Sequence, residues 1–218
     1  VDARHLPELS YPVMQEMSVA GAKVLNAQAV QFAKEKQIAI YARSTFDRNR
    51  ETVVRRFAPG EVVGVQAVVS EKEITRVRIR GSRVLSDFNR ALAFLESEQV
   101  PVKEVHVTRT LRATGSPRAA FVVSSPDIYG WDAIQANLAE ALGANASFDD
   151  HLGALSLIGE GLNRTNETLI EAIELLKKNA IEVFGISTTS FRISLLVPRE
   201  SVAAGVQLCH ANWIVENG

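Results

Sequence analysis

The sequence has a single cysteine in 218 residues, Cys209, and aromatic side chains make up only 6% of it. One cysteine excludes an internal disulfide and any metal site built from several cysteines. The histidines are His5, His106, His151 and His210, and none of them has ligand-like spacing to another histidine, a cysteine or a carboxylate. We therefore predict no metal site.

Long apolar runs and an excess of charge are also missing. No apolar stretch approaches the roughly 18 residues that span a bilayer, and no basic-then-apolar leader opens the chain. We expect a cytoplasmic protein with no membrane partner. The net charge is −1 and the arginines are interleaved with acidic residues, so we expect no nucleic-acid partner.

Complete catalytic motifs are lacking as well. A phosphate-binding loop needs clustered glycines before a helix, and a nucleophilic enzyme needs a base near its serine or cysteine. Neither pattern occurs in this sequence. Asp149 and Asp150 are adjacent carboxylates, but at the end of a strand they are more typical of a solvated turn than of an acid/base pair. We predict no catalytic residue.

What the sequence does contain begins with helical periodicity from Tyr11 to Lys36, interrupted at Gly21, which predicts two helices. A short strand follows at Ile38–Ala42. The next segment, residues 44–60, has few core residues and ends in a Pro-Gly turn signal, so it is a candidate domain boundary.

Beyond that segment, strands alternate with helices, and one order of elements occurs twice. A strand, helix, strand, strand, helix unit that recurs predicts two small ferredoxin-like domains. The predicted elements are Val62–Val69, Ile74–Arg80, Ser86–Glu98 (helix), Val102–Leu111, Ala119–Ser124, Trp131–Leu142 (helix), Ala146–Asp150, Leu152–Ile158, Asn166–Asn179 (helix), Ile181–Ser187, Arg192–Val197 and Glu200–Trp213 (helix). The second unit lacks a final strand, and Val62–Val69 has no place in the first. We therefore predict that this early strand joins the second sheet, so that the first domain is inserted in the second.

Two polar stretches of the second unit, "GEGLNRTNET" and "GISTTS", suggest a ligand site. The unpaired N–H groups of a helix's first turn attract a carboxylate. Gly159 and Gly161 let a backbone approach closely, Thr165 or Asn166 can cap the helix, and the hydroxyls of the neighbouring strand lie beside this loop. A free amino acid would suit such a seat. The alternative is that the hydroxyls form only a turn and Thr165 is only a cap.

The stretch "YPVMQEMSVAGAKVLNAQAVQFAKEKQIAIYARSTF" resembles the end of the amino-acid kinase domain of aspartate kinases. From Leu155 to Val197 the sequence resembles their second ACT domain, with "GEGL" at a Gly-x-Gly-Met loop and "ISTTSFRISLLV" at an Ile-Ser-Thr-Ser strand pair. The resemblance implies an α+β fold with two ferredoxin-like ACT domains (βαββαβ), the first inserted in the second, preceded by a remnant of an α/β kinase domain. The implied ranges are 1–58 for the kinase segment, 59–73 with 151–218 for the second ACT domain, and 74–150 for the first.

The resemblance also implies a function. Aspartate kinases phosphorylate aspartate with ATP on the route to lysine, threonine and methionine, and their ACT domains bind lysine or threonine as feedback inhibitors and pair between chains. The expected partners are therefore an amino-acid effector, a second copy and the remaining kinase domain. We expect no cofactor in this chain, because ATP and Mg would bind elsewhere in the full enzyme. The implied effector-binding residues are Gly161, Leu162, Asn163, Thr165, Asn166, Ile186, Ser187, Thr188 and Thr189.

The sequence departs from the family pattern in three places. The kinase start and its substrate-binding residues are missing, so we expect this chain alone to be inactive. In the first ACT domain "GSRVLSD" replaces a Val-Pro-Asp-x-Pro-Gly run, which predicts a degenerate site. In the second, Asn166 and Glu167 replace Pro-Gly, and Glu167 would repel the carboxylate of a ligand. Two rival hypotheses remain: an assembly module with vestigial effector sites, and an independent enzyme with an unfamiliar site.

Overall fold

The computed structural model describes residues 4–45, 50–56, 63–108 and 117–215. The chain divides into two compact units. One, the discontinuous unit, comprises Val1–Glu71 with Gly153–Gly218, and the other, the inserted unit, comprises Lys72–Leu152. The predicted boundary between 58 and 59 lies outside the described residues, so the division into a kinase segment and two ACT domains stays a prediction at that point.

Eleven strands and six α-helices make up the described part of the chain. In chain order they are β1 Glu8–Ser10, α1 Tyr11–Val19, α2 Ala27–Lys36, β2 Ile40–Arg43, β3 Glu51–Arg55, β4 Gly64–Glu71, β5 Ile74–Arg80, α3 Val84–Ser97, β6 Lys103–Thr108, β7 Arg118–Ser124, α4 Trp131–Leu142, β8 Ala146–Asp149, β9 Leu152–Glu160, α5 Glu167–Lys178, β10 Gly185–Thr188, β11 Arg192–Pro198 and α6 Val202–His210, with a π-helical turn at Ala211–Val215. Within the described ranges, no helix has both the length and the apolar character needed to cross a membrane.

The amino-terminal segment carries the two predicted helices, and the break between them falls at Gly21, whose φ is +102°. Helix α2 starts at Asn26, whose side chain accepts hydrogen bonds from the N–H groups of Gln28 and Ala29. Two strands of this segment, β1 and β3, were not predicted. They are short, and β3 lies in the stretch 44–60 that we expected to be a boundary, of which residues 46–49 and 57–60 lie outside the described part.

A three-stranded sheet joins these elements in the order β1-β3-β2. Strands β1 and β3 are parallel and β2 and β3 are antiparallel. Strand β3 was not predicted because Val54 is its one buried residue. A strand with one buried side chain does not show the alternation of buried and exposed residues by which strands are predicted. Its pairing with β1 is a contact between residues far apart in sequence.

The inserted unit is a four-stranded antiparallel sheet in the order β6-β7-β5-β8. Helices α3 and α4 cover one face of it. The core is built from Val77, Ile79, Phe88, Leu95, Phe121, Trp131, Leu138 and neighbours. This is the predicted ferredoxin-like arrangement, and its fold class is confirmed. The end of the predicted strand Val102–Leu111 lies outside the described residues beyond Thr108.

The carboxy-terminal half forms a second four-stranded sheet, in the order β10-β11-β9-β4. Strand β4 pairs antiparallel with β9, from Gly64 opposite Glu160 to Glu71 opposite Ala154. The strand that precedes the inserted unit thus completes the sheet that follows it. The predicted insertion of one ferredoxin-like domain in the other is confirmed.

Helices α5 and α6 pack on one face of this second sheet. The side chains that meet there include Leu155, Leu157, Ile193, Leu195, Val197, Ala172, Leu176 and Val202. Burying each of the larger aliphatic side chains stabilises the fold by about 1.5–3 kcal/mol.

The opposite face of the same sheet contributes to the core of the amino-terminal segment. Val69 of β4 and Ile158 of β9 lie in one cluster with Leu9, Tyr11 and Val13. The amino-terminal segment and the second sheet are therefore one packed body.

Candidate functional site

A loop and a turn meet at one end of the second sheet. The loop follows β9, and the turn joins β10 to β11. The Leu162 N–H donates to the Ser190 carbonyl at 3.2 Å, and the Asn163 side-chain amide donates to the Ser190 hydroxyl at 3.4 Å. Gly161 turns the loop with φ of +73°, and its carbonyl accepts from the Arg164 N–H at 3.0 Å. The sequence prediction that these two stretches are neighbours agrees with this geometry.

Helix α5 begins next to this loop, but its start differs from the prediction. Asn166 occupies the N-cap position, and its side chain makes no capping bond to the described helix. The Thr165 hydroxyl instead donates to the Glu167 carboxylate at 3.5 Å. Glu167 is in the first turn, where a negative charge interacts favourably with the helix dipole. The start of α5, where we expected a ligand carboxylate to bind, therefore already has the Glu167 carboxylate nearby.

The hydroxyls of "ISTTS" do not line a single surface. Thr188 is opposite Ile193, and Ser187 is opposite Ser194. Opposed residues share a face of a sheet, and Ile193 belongs to the core under α5 and α6. Thr188 therefore lies on the helix-covered face, together with Ile186, which is opposite Leu195. Ser187 lies on the other face.

Thr189 also lies on the face away from α5, and its hydroxyl makes two hydrogen bonds. It accepts from the Phe191 N–H at 3.1 Å and donates to Glu16 Oε1 of α1 at 3.4 Å. The Thr189 N–H donates to the Arg192 carbonyl at 2.8 Å, which closes the turn. In this structure Thr189 holds the turn and contacts α1.

The nine residues implied by the resemblance thus fall into three groups. The first group comprises the loop residues Gly161, Asn163, Thr165 and Asn166 together with Ile186 and Thr188, which lie on the helix-covered face of the sheet. Leu162 has its side chain buried in the core, so it can offer only its backbone. Ser187 and Thr189 point to the opposite face of the sheet.

The two glycines of "GEGL" have different structural roles. A Cβ at Gly159 would lie 1.8 Å from the Gly64 carbonyl oxygen, so this glycine permits the close pairing of β9 with β4. We had expected Gly159 to let the loop backbone approach a ligand, but the close approach that it permits is to β4. Gly161 has the positive φ that favours glycine in a turn.

Arg164 is a residue of the loop that the sequence reasoning missed. Its side chain is exposed, and its Cδ would be 2.8 Å from a Cβ at Gly161. A guanidinium is well suited to bind a carboxylate with two parallel hydrogen bonds. Arg164 is the one basic residue of "GEGLNRTNET", and that isolated charge was the available signal.

The equivalent place in the inserted unit, at the start of α3, is filled by its own side chains. Asp87 has 2% exposure. Its carboxylate accepts from the Asn145 side-chain amide at 3.1 Å and from Arg90 Nη2 at 3.3 Å. A ligand carboxylate there would meet a buried negative charge.

A separate groove of about 390 Å³ lies between α1 and α2. Gln15, Gln28, Gln31, Phe32 and Glu35 line most of it. None of the implied effector residues is among them. In the part of the chain that the structure describes, no group of three or more histidine, cysteine or carboxylate side chains could hold a metal ion.

The two sheets, each with helices on one face and one inserted in the other, define a tandem pair of ferredoxin-like domains, a fold shared with solved regulatory subunits of aspartate kinases. The chain is a relative of aspartokinases, and proteins of that name match it over 95% of its length. No protein-family model matches the chain.

The aspartokinase of Bacillus sp. (strain MGA3) is 27% identical over 211 residues, which are 95% of this chain and 51% of that protein. The chain thus spans about half the length of the curated relatives it matches. Among solved structures, E. coli aspartokinase III with aspartate and ADP superposes on 97% of this chain and 47% of that one, with a TM-score of 0.79 and 18% identity. Its complex with lysine and aspartate gives a TM-score of 0.71.

The regulatory subunit of aspartate kinase from Thermus thermophilus, in a ligand-free form, matches 68% of this chain and 98% of its own length. Its TM-score is 0.56 and its identity 17%. At this level of identity the likeness to the solved structures shows the fold alone. The shared fold extends over 98% of the length of that regulatory subunit.

Proposed function

We propose that this chain is the regulatory region of an aspartate kinase, the enzyme that phosphorylates aspartate with ATP, and that it binds lysine or threonine as a feedback effector. The observation that carries the proposal is the match to aspartokinases over 95% of the chain, in a segment with the fold of their regulatory subunits. E. coli aspartokinase III, a structural neighbour, has been solved with lysine and aspartate.

The effector seat in this proposal is the loop Gly161–Asn166 with the exposed edge of β10. Because the Thr189 N–H donates to Arg192, the alternation of an antiparallel pair turns the backbone groups of Thr188 and Ile186 away from β11. Their carbonyls can accept from a ligand ammonium, while Arg164 can bind the ligand carboxylate. A free amino acid carries both of these groups, an ammonium and a carboxylate.

Glu167 supports the rival proposal of an assembly module with vestigial sites. Its carboxylate is beside Thr165 at the start of α5, where it would repel a ligand carboxylate. Exposed apolar side chains on edge strands also suit self-association: Val105 and Val107 of β6 are 50% and 37% exposed, and Ile186 of β10 is 47% exposed. An uncovered edge strand is a ready template for pairing with another chain. Both proposals include a homodimer.

Catalysis is proposed to depend on protein outside this chain. No residue here is assigned to ATP, Mg or aspartate, so the chain alone is expected to be inactive and to act with the remaining kinase domain in the cytoplasm. Effector binding would then bias that domain through a difference in affinity between its active and inactive arrangements.

The test is a thermal-shift titration of the chain with lysine, threonine, methionine and aspartate, with the dimer content followed by analytical ultracentrifugation. Saturable stabilisation by one amino acid supports the effector proposal and identifies the ligand. The variant Arg164→Ala should lose the shift. Its matched control is Lys178→Ala, which removes an exposed cation from the far end of α5.

A stable dimer that shows no shift with any of the four amino acids would contradict effector binding and favour the assembly module. A monomer that shows a shift would contradict the proposed role of the edge strands. Equal shifts in Arg164→Ala and in the parent chain would overturn the assignment of the carboxylate-binding residue.

A further inference from the structure

We propose that Glu16 couples helix α1 to the loop Gly161–Asn166, the effector loop, so that stabilising either the helix or the loop also stabilises the other. This inference rests on the proposed effector site and concerns how occupancy of that site would reach the amino-terminal segment. It is carried by the turn Thr189–Arg192, because the side chains at both ends of this turn contact Glu16 and its middle contacts the loop.

The first half of the link joins α1 to the turn. Glu16 lies near the end of α1, where its carbonyl accepts from the Ala20 N–H at 2.9 Å. Its carboxylate is shared: Oε1 accepts from the Thr189 hydroxyl at 3.4 Å, and Oε2 is 3.4 Å from Arg192 Nε. The Arg192 side chain is 10% exposed, and its Nε has no hydrogen-bond partner among the described residues. The charge on Glu16 is therefore the partner that compensates a nearly buried cation through space.

The second half joins the turn to the loop. Ser190 follows Thr189 directly, and its carbonyl and hydroxyl both accept hydrogen bonds from the loop, from Leu162 and Asn163. Phe191, the next residue, has its N–H bonded to Thr189 and packs against the apolar cluster that contains α1. The four residues of the turn thus contact the loop on one side and α1 on the other.

The sign of the coupling follows from this geometry. The proposed ligand would contact the loop and β10 and would leave the Thr189 hydroxyl, on the other face of the sheet, with Glu16. A ligand that holds the loop in place also holds Ser190, and therefore favours the position of the turn in which Glu16 meets Thr189 and Arg192. Coupling of this kind is reciprocal, so ligand binding should protect α1 and removal of Glu16 should weaken ligand binding.

The test is hydrogen–deuterium exchange of the whole chain, with and without the amino acid that gives a thermal shift. In the ligand-free chain, Glu16→Gln should raise the exchange rates of loop residues 161–166 by about 2- to 30-fold, the range that a coupling change of 0.5–2 kcal/mol represents. The matched control is Glu35→Gln on α2, which makes the same chemical change at an exposed position and should leave the loop unchanged. Unchanged loop exchange in Glu16→Gln overturns the coupling.

A second variant separates coupling from general destabilisation. Glu16→Gln combined with Arg192→Met removes both charges, so it should recover global stability while the loop still exchanges faster than in the parent chain. If loop exchange returns fully to the parent rates in the double variant, the effect of Glu16→Gln was global and the coupling is overturned.

The ligand arm distinguishes this inference from the proposed function. An amino acid that binds, protects the loop and slows exchange in Tyr11–Val19 supports both, whereas protection of the loop with no change in α1 overturns the coupling and leaves the effector proposal standing. If none of the four amino acids binds but Glu16→Gln still loosens the loop, the coupling stands and the effector proposal fails.

Discussion

Ser187 and Thr188 are consecutive in the chain but lie on opposite faces of the second sheet, because Ser187 pairs with Ser194 and Thr188 pairs with Ile193. Ser194 is 1% exposed. A row of hydroxyls that looks continuous in the sequence is therefore divided between two environments. Only one of these faces is shared with the start of α5.

This division makes the two hydroxyls a sharp test of the effector site. The Thr188 hydroxyl lies on the helix-covered face, where it can add a hydrogen bond to the effector beside the one made by the Thr188 carbonyl. Thr188→Val keeps the β-branched shape and the carbonyl but removes this hydroxyl, so it should reduce the thermal shift produced by the effector. Ser187→Ala should leave the shift in place, because Ser187 points to the other face. The thermal-shift titration of both variants is the measurement. A thermal shift that is lost in Ser187→Ala and kept in Thr188→Val would contradict the placement of the effector site on the helix-covered face of the sheet.

Gly159 should be among the least replaceable residues of the fold. A Cβ there would lie 1.8 Å from the Gly64 carbonyl oxygen and 3.1 Å from the Gln66 N, so Gly159→Ala must displace the backbone of β4. We expect the free energy of unfolding to fall by about 3 kcal/mol, at the upper end of typical overpacking costs of 1–3 kcal/mol. Urea unfolding of Gly159→Ala and of the parent chain measures this difference in the free energy of unfolding.

The matched control for that prediction is Gly205→Ala in α6. The new Cβ would meet the flexible end of Leu155, whose Cδ2 is 3.2 Å away, and alanine favours a helix over glycine by about 1 kcal/mol. The two effects oppose each other, so the change should be small. A larger loss in Gly205→Ala than in Gly159→Ala would contradict the proposed backbone clash.

Asp87 should stabilise the inserted unit through its buried carboxylate. Removing it in Asp87→Ala leaves the Asn145 amide without this acceptor and should lower the free energy of unfolding by about 1–3 kcal/mol. The control is Asp132→Ala, an exposed aspartate in the first turn of α4, whose loss should cost about 0.3–1 kcal/mol through the helix dipole. Chemical denaturation that finds equal costs would mean that burial of Asp87 adds nothing.

Cys209 should make the fold sensitive to alkaline pH. Burial raises the pKa of its thiol from 9.0 to about 12, since the thiolate is poorly solvated inside the protein. The folded state keeps the proton that the unfolded state releases, so this contribution to stability is fully present below pH 9.0 and is lost as the pH rises towards about 12. The decline of the melting temperature across that window should be shallower in Cys209→Ala. Parallel pH profiles for the two proteins would refute this contribution.

Several elements were readable from local pattern. The predicted ranges of β5, Ile74–Arg80, and of α4, Trp131–Leu142, coincide with the observed ones, because both elements place apolar residues at a regular spacing against a core. The insertion of one domain in the other also followed from counting strands, since β4 had no partner in the unit that follows it. In contrast, β1 and β3 were missed, because each is short and is stabilised mainly by its partner strands.

The sequence alone determined the periodic elements, the order in which they recur, the nested topology and the neighbourhood of the "GEGL" loop and the "ISTTS" strand. These properties depend on residues close in the chain or on a repeated pattern. Only the tertiary structure decided which hydroxyls share a face, that Gly159 serves the pairing of β4 with β9, and that Glu16 meets Thr189 and Arg192. Those relationships depend on strand register and on contacts between residues as far apart as Glu16 and Arg192, where moving a strand by one residue would turn every side chain to the other face.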